Sequence, residues 1–484
     1  MNKIKIRYLN VSSMVIACLL GTLMLTSCQS ESIEPVATDD SPATKTAVPP
    51  PTKTPEPQPQ LLRDDISIRK LTEIGGGGIK LALNPNTRFL YFLRPGEGIF
   101  QITLGGSTVT TKKIVPIEKI TPDGWIAGMK FGPDGTLYAV VNRRPNESET
   151  MTQASIYKGT ISNAGDSTWE TLATTDPYPA SNTNFDHLFN GITISPDNQW
   201  VYLNSGSRTD HGEVEDTEGE FPNLREVPLT SAILRIPADG VDLIIPNDEA
   251  ALNELGYLYA DGTRNAYDLE FAPNGDLFGI DNGPDADYSE EINWIREGHH
   301  YGFPWRFGDQ DNPQQFADYD PSQDKRLDED FVAVQMGTYQ NDPDFPPPPQ
   351  EFTDPIINLG PAATQYKDDN GRPQIGETLS TLTAHRSPLG LVFLNDAELP
   401  DWLASSADEL SLFVVSWGAA AGDLSDQGND LLHMKLTKNG DNYEAVTSQI
   451  ATEFRRPIDA VIIENRLYVL EWDGAGAIWE LTFE

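Results

Sequence analysis

An apolar run, a turn of the Pro-Asp-Gly type and a strand of alternating apolar residues follow one another repeatedly along this chain. The phrase reads "LALNPNTRFLYFL" at 81–93, "MKFGPDGTLYAVV" at 129–141, "ITISPDNQWVYLNSG" at 192–206 and "LEFAPNGDLFGIDNG" at 269–283. Looser copies are "SPLGLVFLND" at 387–396 with "LSLFVVSWG" at 410–418, and "DAVIIENRLYVLEWDG" at 459–474. Period-two alternation on both sides of such a turn marks a β-hairpin with one buried face. Helical periodicity is scarce, and "NDEAALNELGYL" at 247–258 is its best example. Six strand-rich units predict an all-β fold, a six-bladed β-propeller with a ligand site at one end of its central channel. A β-sandwich followed by a second β-rich domain is the alternative. In a propeller the C-terminal strands of 458–483 close the ring, so truncating them opens it.

The first sixty residues break this pattern. Lys3, Lys5 and Arg7 precede the apolar run "MVIACLLGTLML", which ends at "LTSC". That run is too short for a comfortable transmembrane helix and reads as a signal peptide over 1–27. Residues 31–60 carry eight prolines among Thr, Ala, Ser and charged residues, a composition that cannot bury enough apolar surface to fold. The expected organisation is therefore a signal at 1–27, a disordered Pro/Thr-rich tether at 28–64 and one propeller domain at 65–484.

Charge narrows the partners. A formal net charge of −39 argues against nucleic acid, whose phosphates need Lys or Arg, and against charge-driven binding to anionic lipid. Such a surface suits solubility outside the cell and hard cations such as calcium, which take carboxylate and carbonyl oxygens.

Four polar phrases stand beside the hairpins. In "FDHLFNGITISPD" (185–197), Asp186 and His187 come just before a strand, and among the chain's six histidines His187 is the candidate general base, since imidazole takes a proton near neutral pH. An ordinary loop histidine is the competing reading. In "GTRNAYDLEFAPNG" (262–275), Arg264 offers a fork of donors for a carboxylate and Asn265 adds an amide. "FRRPIDAV" (454–461) brings Arg455 and Arg456 to the last unit. The fourth phrase, "DNGPDADYSEEINWIREGHHYGFPW" (281–305), crowds carboxylates, a Gly-Pro pair and two adjacent histidines into twenty-five residues.

The stretch "RNAYDLEFAPNGDLFGIDNGPDADYSEEINWIREGHHYGFPW" resembles the signature of the glucose/sorbosone dehydrogenase family, soluble quinoprotein sugar dehydrogenases on a six-bladed propeller. The likeness extends from about 120 to the C-terminus. It implies oxidation of an aldose or related sugar to its lactone or acid, with pyrroloquinoline quinone (PQQ) and calcium as cofactors. By the same resemblance His187 is the catalytic base that takes the sugar's hydroxyl proton, with Asp186 and Asp123 of "PDGWIAGMKFGPDG" on the substrate side. Arg264, Asn265, Asn282 and Arg456 match residues that hold the cofactor. The carbonyls of Gly283 and Pro284 match calcium ligands, which would explain the Gly-Pro pair; "EEIN" and "YGFPW" would lock the following turn, with His299 and His300 as loop residues.

Residues 25–28, "LTSC", resemble a bacterial lipobox, which makes Cys28 the lipid acceptor of an extracytoplasmic, membrane-anchored lipoprotein. The chain also departs from the family pattern. Ser207 stands where well-known members place an acidic residue that orients the histidine, with Asp210 close by. No counterpart of a cofactor-side lysine is evident around "VVSWGAAAG" (414–422), nor an aromatic cover before "HRSPLG". A metal-dependent gluconolactonase-type hydrolase and a catalytically silent propeller that binds glycans or proteins are the alternative functions. Neither the sugar nor the electron acceptor is legible.

Overall fold

The computed structural model describes residues 58–484 apart from 105–108, 163–164, 350, 362–364, 369, 376–378, 396–397, 407, 419–421, 423 and 425–427. The expected signal peptide, Cys28 and most of the tether lie outside the described residues.

Six sheets, each built on an antiparallel meander, are arranged around a channel, so the propeller reading holds; two of them add a parallel strand toward the outer edge. Each sheet begins with an inner strand and runs outward. The inner strands are Lys80–Leu83, Trp125–Phe131, Phe189–Ile194, Ala266–Phe271, Pro388–Phe393 and Pro457–Ile463, and each touches its two neighbours in the ring. We number the blades one to six in that order. Every repeated phrase found in the sequence is the hairpin between the first and second strands of one blade. The turns explain the repeat: Gly135, Asn198 and Gly275 occupy positive φ (86°, 60° and 91°), the left-handed region open to glycine and asparagine. Gly132 and Ala272 N–H groups then bond across the turn to Thr136 and Asp276 carbonyls at 2.8 Å.

Ring closure uses both ends of the domain. Strands Pro457–Ile463, Arg466–Glu471 and Ala477–Phe483 form the inner part of blade six, and Ile66–Glu73 pairs antiparallel with Ala477–Phe483 as its outer strand. Pairing begins slightly before the expected boundary of 65, since Gln60–Leu61 adds to the outer strand of blade five. The one helix expected from periodicity is present as Glu249–Leu255, capped by the Asp248 side chain and ended by Gly256 at φ 68°.

The inner strands of blades two to six each shift register near their first residues, a bulge that turns a side chain or a bare backbone toward the next blade. Asp268 of blade four accepts the Leu391 N–H of blade five at 3.0 Å, and Asp459 of blade six accepts the Leu81 N–H of blade one at 2.7 Å. Where blade two meets blade three, a Cβ on Gly128 would lie 2.0 Å from the Asn190 carbonyl oxygen, so that approach requires glycine. Lys80 lies 3.5 Å from Asp268, and Lys130 pairs with Glu270, which neutralises part of the channel's buried charge.

A long insertion, 296–387, connects blade four to blade five. Its residues bond to Asp210, His211, Asp285 and Asp287, so it lies across the end of the ring where those residues sit.

Candidate active site

In an outward-running meander, the loop that enters the inner strand and the loop that leaves the second strand lie at the same end of the channel. Asp123, His187, Arg264, Asn265 and Arg456 precede inner strands, while Ser207, Asn282, Gly283 and Pro284 follow second strands. Connectivity alone therefore gathers the candidate residues on one rim.

His187 is held from two sides. Its backbone N–H bonds to the Ser207 carbonyl at 2.9 Å, and its Nδ1 lies 3.1 Å from Ser207 Oγ. Gly206 makes this possible, since a Cβ there would lie 2.4 Å from the His187 Cβ. The residue keeps partial exposure; the Ser207 and Phe185 carbonyls lie near the ring, and Ser207 Oγ is the side-chain partner it has among the described residues. Burial and the Arg264 charge lower its pKa to about 3, so it is neutral at physiological pH.

Beside it runs a chain of amides. Asn204 donates to Asn190 at 2.7 Å, Asn190 to Asn265 at 2.8 Å and Asn265 to Asn282 at 3.1 Å, and Asn282 donates to the Pro388 carbonyl at 2.9 Å. Asn265 and Asn282, chosen from the sequence, are thus in contact. Asn190 and Asn204 were missed, because an asparagine inside a strand phrase gives no signal until the neighbouring blade is in place.

Arg264 is more deeply committed than a ligand-facing arginine need be. Its Nε and Nη2 engage the Asp210 carbonyl and carboxylate, both at 2.7 Å, and Nη1 reaches the Asn282 carbonyl at 3.2 Å. Asp210, fully buried, also binds His211 Nδ1 at 2.8 Å and the Asp285 N–H at 3.0 Å. Burial opposes ionisation of Asp210, yet Arg264 and His211 hold its pKa down to about 2. Glu213 accepts the N–H groups of both Asp210 and His211 at 2.8 Å, and Tyr339 from the insertion stacks on His211 at 3.7 Å. Asp210 therefore does not orient His187; that contact is made by Ser207.

The remaining candidates are placed less centrally. Both Asp186 oxygens accept backbone N–H groups, of Ser181 and Asn182, at 2.8 Å, so this carboxylate shapes its own loop. Asp123 is exposed on the rim, 3.8 Å from Arg143. Arg456 donates to the Gly418 carbonyl at 2.7 Å and lies 5.6 Å from the Trp417 ring, itself packed on Trp472. The Pro284 carbonyl accepts the Ala286 N–H at 2.8 Å, whereas the Gly283 carbonyl accepts no hydrogen bond among the described residues. Tyr301 of "YGFPW" donates to the Trp294 carbonyl at 2.6 Å and accepts the Arg296 N–H, which ties the turn to the blade. His299 bonds Thr353 at 2.8 Å and His300 packs near Trp305 and Phe352, so both serve the loop.

A lysine does approach this rim, from far along the chain. Lys367 pairs with Asp287, whose other oxygen lies 2.9 Å from His385 Nε2. Nothing local announces it, since Lys367 arrives on the Gln365–Lys367 and Pro373–Ile375 hairpin of the insertion.

Several buried carboxylates have no cation strong enough to offset burial. Burial, with Asp281 nearby, raises Glu291 to about 8; burial raises Asp459 and Glu215 to about 7. Each binds a proton when folded that it releases when unfolded, so stability is lost as pH rises through these values. His211 and His385, raised by their carboxylate partners despite burial, act in the same direction. The melting temperature is expected to fall between about pH 6 and pH 8 at constant ionic strength, and a flat or rising profile in calorimetry over that range contradicts this account.

Comparison with known proteins bears on the family and the fold. The family model described as glucose/sorbosone dehydrogenase matches residues 81–329, just over half of the chain. Quinoprotein glucose dehydrogenase B of Acinetobacter calcoaceticus is 27% identical over 270 residues, 51% of this chain and 54% of the relative, so the chain spans about half the length of that relative in the match. Among solved structures, a Trichoderma reesei carbohydrate-active enzyme of family AA12 aligns with a TM-score of 0.54 at 14% identity, covering 90% of this chain and 99% of the other. The soluble aldose sugar dehydrogenase of Escherichia coli, in its apo form, gives 0.53 at 13% identity, covering 87% and 100%. At such identities the structural matches show a shared fold. With the family model spanning the blades that carry His187, Arg264 and the Gly283-Pro284 turn, the chain belongs to the glucose/sorbosone dehydrogenase family.

Proposed function

We propose that the protein oxidises an aldose or related sugar to its lactone or acid at the cell envelope, using PQQ and calcium. The observation that carries this reading is the partly exposed His187, neutral at physiological pH, on the rim shared by Arg264, Asn265, Asn282 and the Gly283 carbonyl. Oxidation at the anomeric carbon removes two electrons and two protons. One proton leaves the hydroxyl group, and a neutral imidazole within reach accepts it at Nε2.

The rim suits the two cofactors. A hard cation takes carbonyl and carboxylate oxygens, and the Gly283 carbonyl is available beside Pro284 and near Asp285. For a planar anionic ring, Arg456 beside the Trp417 and Trp472 indoles offers charge next to aromatic surface. Asn265 and Asn282 would add amide donors, and Arg264 would act by holding the Asn282–Asp285 turn through Asp210. When bound, PQQ supplies the two-electron acceptor and calcium polarises it.

Adding PQQ and calcium to the purified protein tests the reading directly. Expected are a change in quinone absorbance and dye reduction with at least one aldose of a panel. Absence of both overturns it, and hydrolysis of a sugar lactone without PQQ would favour the lactonase reading.

For location, the "LTSC" motif after a charged and apolar start supports anchoring through a lipidated Cys28. Cys28→Ala should move the protein from the membrane to the soluble fraction; unchanged partitioning contradicts the anchor.

A further inference from the structure

Ser207 occupies the place where an acidic residue was expected, and its surroundings decide which nitrogen of His187 carries the proton. Its hydroxyl has one proton and two neighbours, the Thr209 carbonyl oxygen at 2.7 Å and His187 Nδ1 at 3.1 Å. A carbonyl can only accept. At 2.7 Å the serine proton must lie between the two oxygens, since otherwise their lone pairs face each other. The contact with His187 is then made by an Nδ1–H that donates to Ser207 Oγ. A neutral imidazole has one proton, so Nε2 keeps its lone pair.

The device is rigid. Ser207 is 1% exposed, so bulk water does not replace either partner. Its N–H bonds to the Arg264 carbonyl at 2.7 Å and its carbonyl accepts the His187 N–H, which fixes the serine between blades three and four. Gly206 packs so closely on the His187 Cβ that a side chain there would meet it at 2.4 Å. Of the charged groups that face His187, Arg264 and Asp210 are bound to each other at 2.7 Å, so no carboxylate is left to take the Nδ1 proton.

We propose that Ser207 is the positioning residue that holds His187 as the Nδ1–H tautomer and thereby presents Nε2 to the substrate hydroxyl. The catalytic consequence rests on the sugar-oxidation reading; the tautomer does not. A serine, unlike an acid, sets the tautomer without adding charge, so the orientation of the base is separated from its basicity.

Nitrogen NMR of the full chain labelled with ¹⁵N-histidine, without sugar, reads the tautomer, with His187→Gln assigning the signal. The expected result is Nδ1–H in the wild type and in Ser207→Thr, which keeps the hydroxyl, with a shift to Nε2–H or to a mixture in Ser207→Ala. Nε2–H in the wild type, or the same tautomer in Ser207→Ala, overturns the proposal. In turnover assays with PQQ and calcium, Ser207→Ala is expected to lower kcat on the order of 10–100-fold with little change in KM, and Ser207→Thr to recover most of it. Ser207→Asp should move the acidic limb of the pH profile upward; an unmoved limb counts against control of His187 through Nδ1. Should Ser207→Ala not fold, the wild-type and Ser207→Thr spectra still decide. An Nδ1–H ring in a protein that oxidises no aldose would leave the tautomer assignment standing and remove the oxidation reading.

Discussion

Replacing His187 by alanine is expected to lower turnover by about 10²–10⁴-fold, the usual contribution of a general base, while PQQ binding followed by absorbance stays nearly unchanged. The asymmetry comes from the geometry. The His187 side chain is held by Ser207 and the neighbouring backbone, and none of the candidate cofactor groups hydrogen-bonds to its ring among the described residues. Neither His211 nor His385 can replace it: His211 is fully buried between Asp210 and the Thr338 carbonyl, and His385 is engaged by Asp287. Wild-type turnover in His187→Ala at saturating PQQ and calcium would remove His187 from the mechanism while leaving the propeller untouched.

Arg264→Ala should produce the larger loss of stability, about 3–5 kcal/mol, because it leaves a buried carboxylate without its cation. Asp210 is fully buried and holds together the loop after the second strand of blade three, the turn at Asn282–Asp285 and the insertion. The family resemblance assigns this arginine to the cofactor, and a variant lacking only that contact would unfold normally but bind PQQ weakly. On the proposed reading, the network would tie PQQ affinity to stability through the turn that carries Gly283. Denaturant unfolding of Arg264→Ala and of the double variant with Asp210→Asn separates the cases. The double variant should recover part of the loss, since it no longer buries an unpaired charge. An unchanged unfolding midpoint in Arg264→Ala contradicts the structural role.

Much of this protein was legible before any coordinates. The period-two strands and Pro-Asp-Gly turns determined the six hairpins, because alternation and positive-φ turn positions are properties of a few adjacent residues. The chain order also placed His187, Arg264-Asn265 and Asn282–Pro284 at strand ends, and in a propeller those ends share one rim. The sequence did not determine partners. Whether Asp186 faced substrate or its own loop depended on the Ser181 and Asn182 N–H groups, five and four residues before it, in a turn whose path is set by packing. Whether Asp210 or Ser207 supported His187 depended on Arg264, some fifty residues later, which claims Asp210 first. The bond from Asn190 to Asn265, and the approach of Lys367 and His385 to Asp287, join segments that meet only when the ring closes and the insertion covers its end. Hydrogen bonds and buried charges act over a few ångströms in space, so competition among donors for one carboxylate is decided by the tertiary structure, however clearly the sequence supplies the competitors.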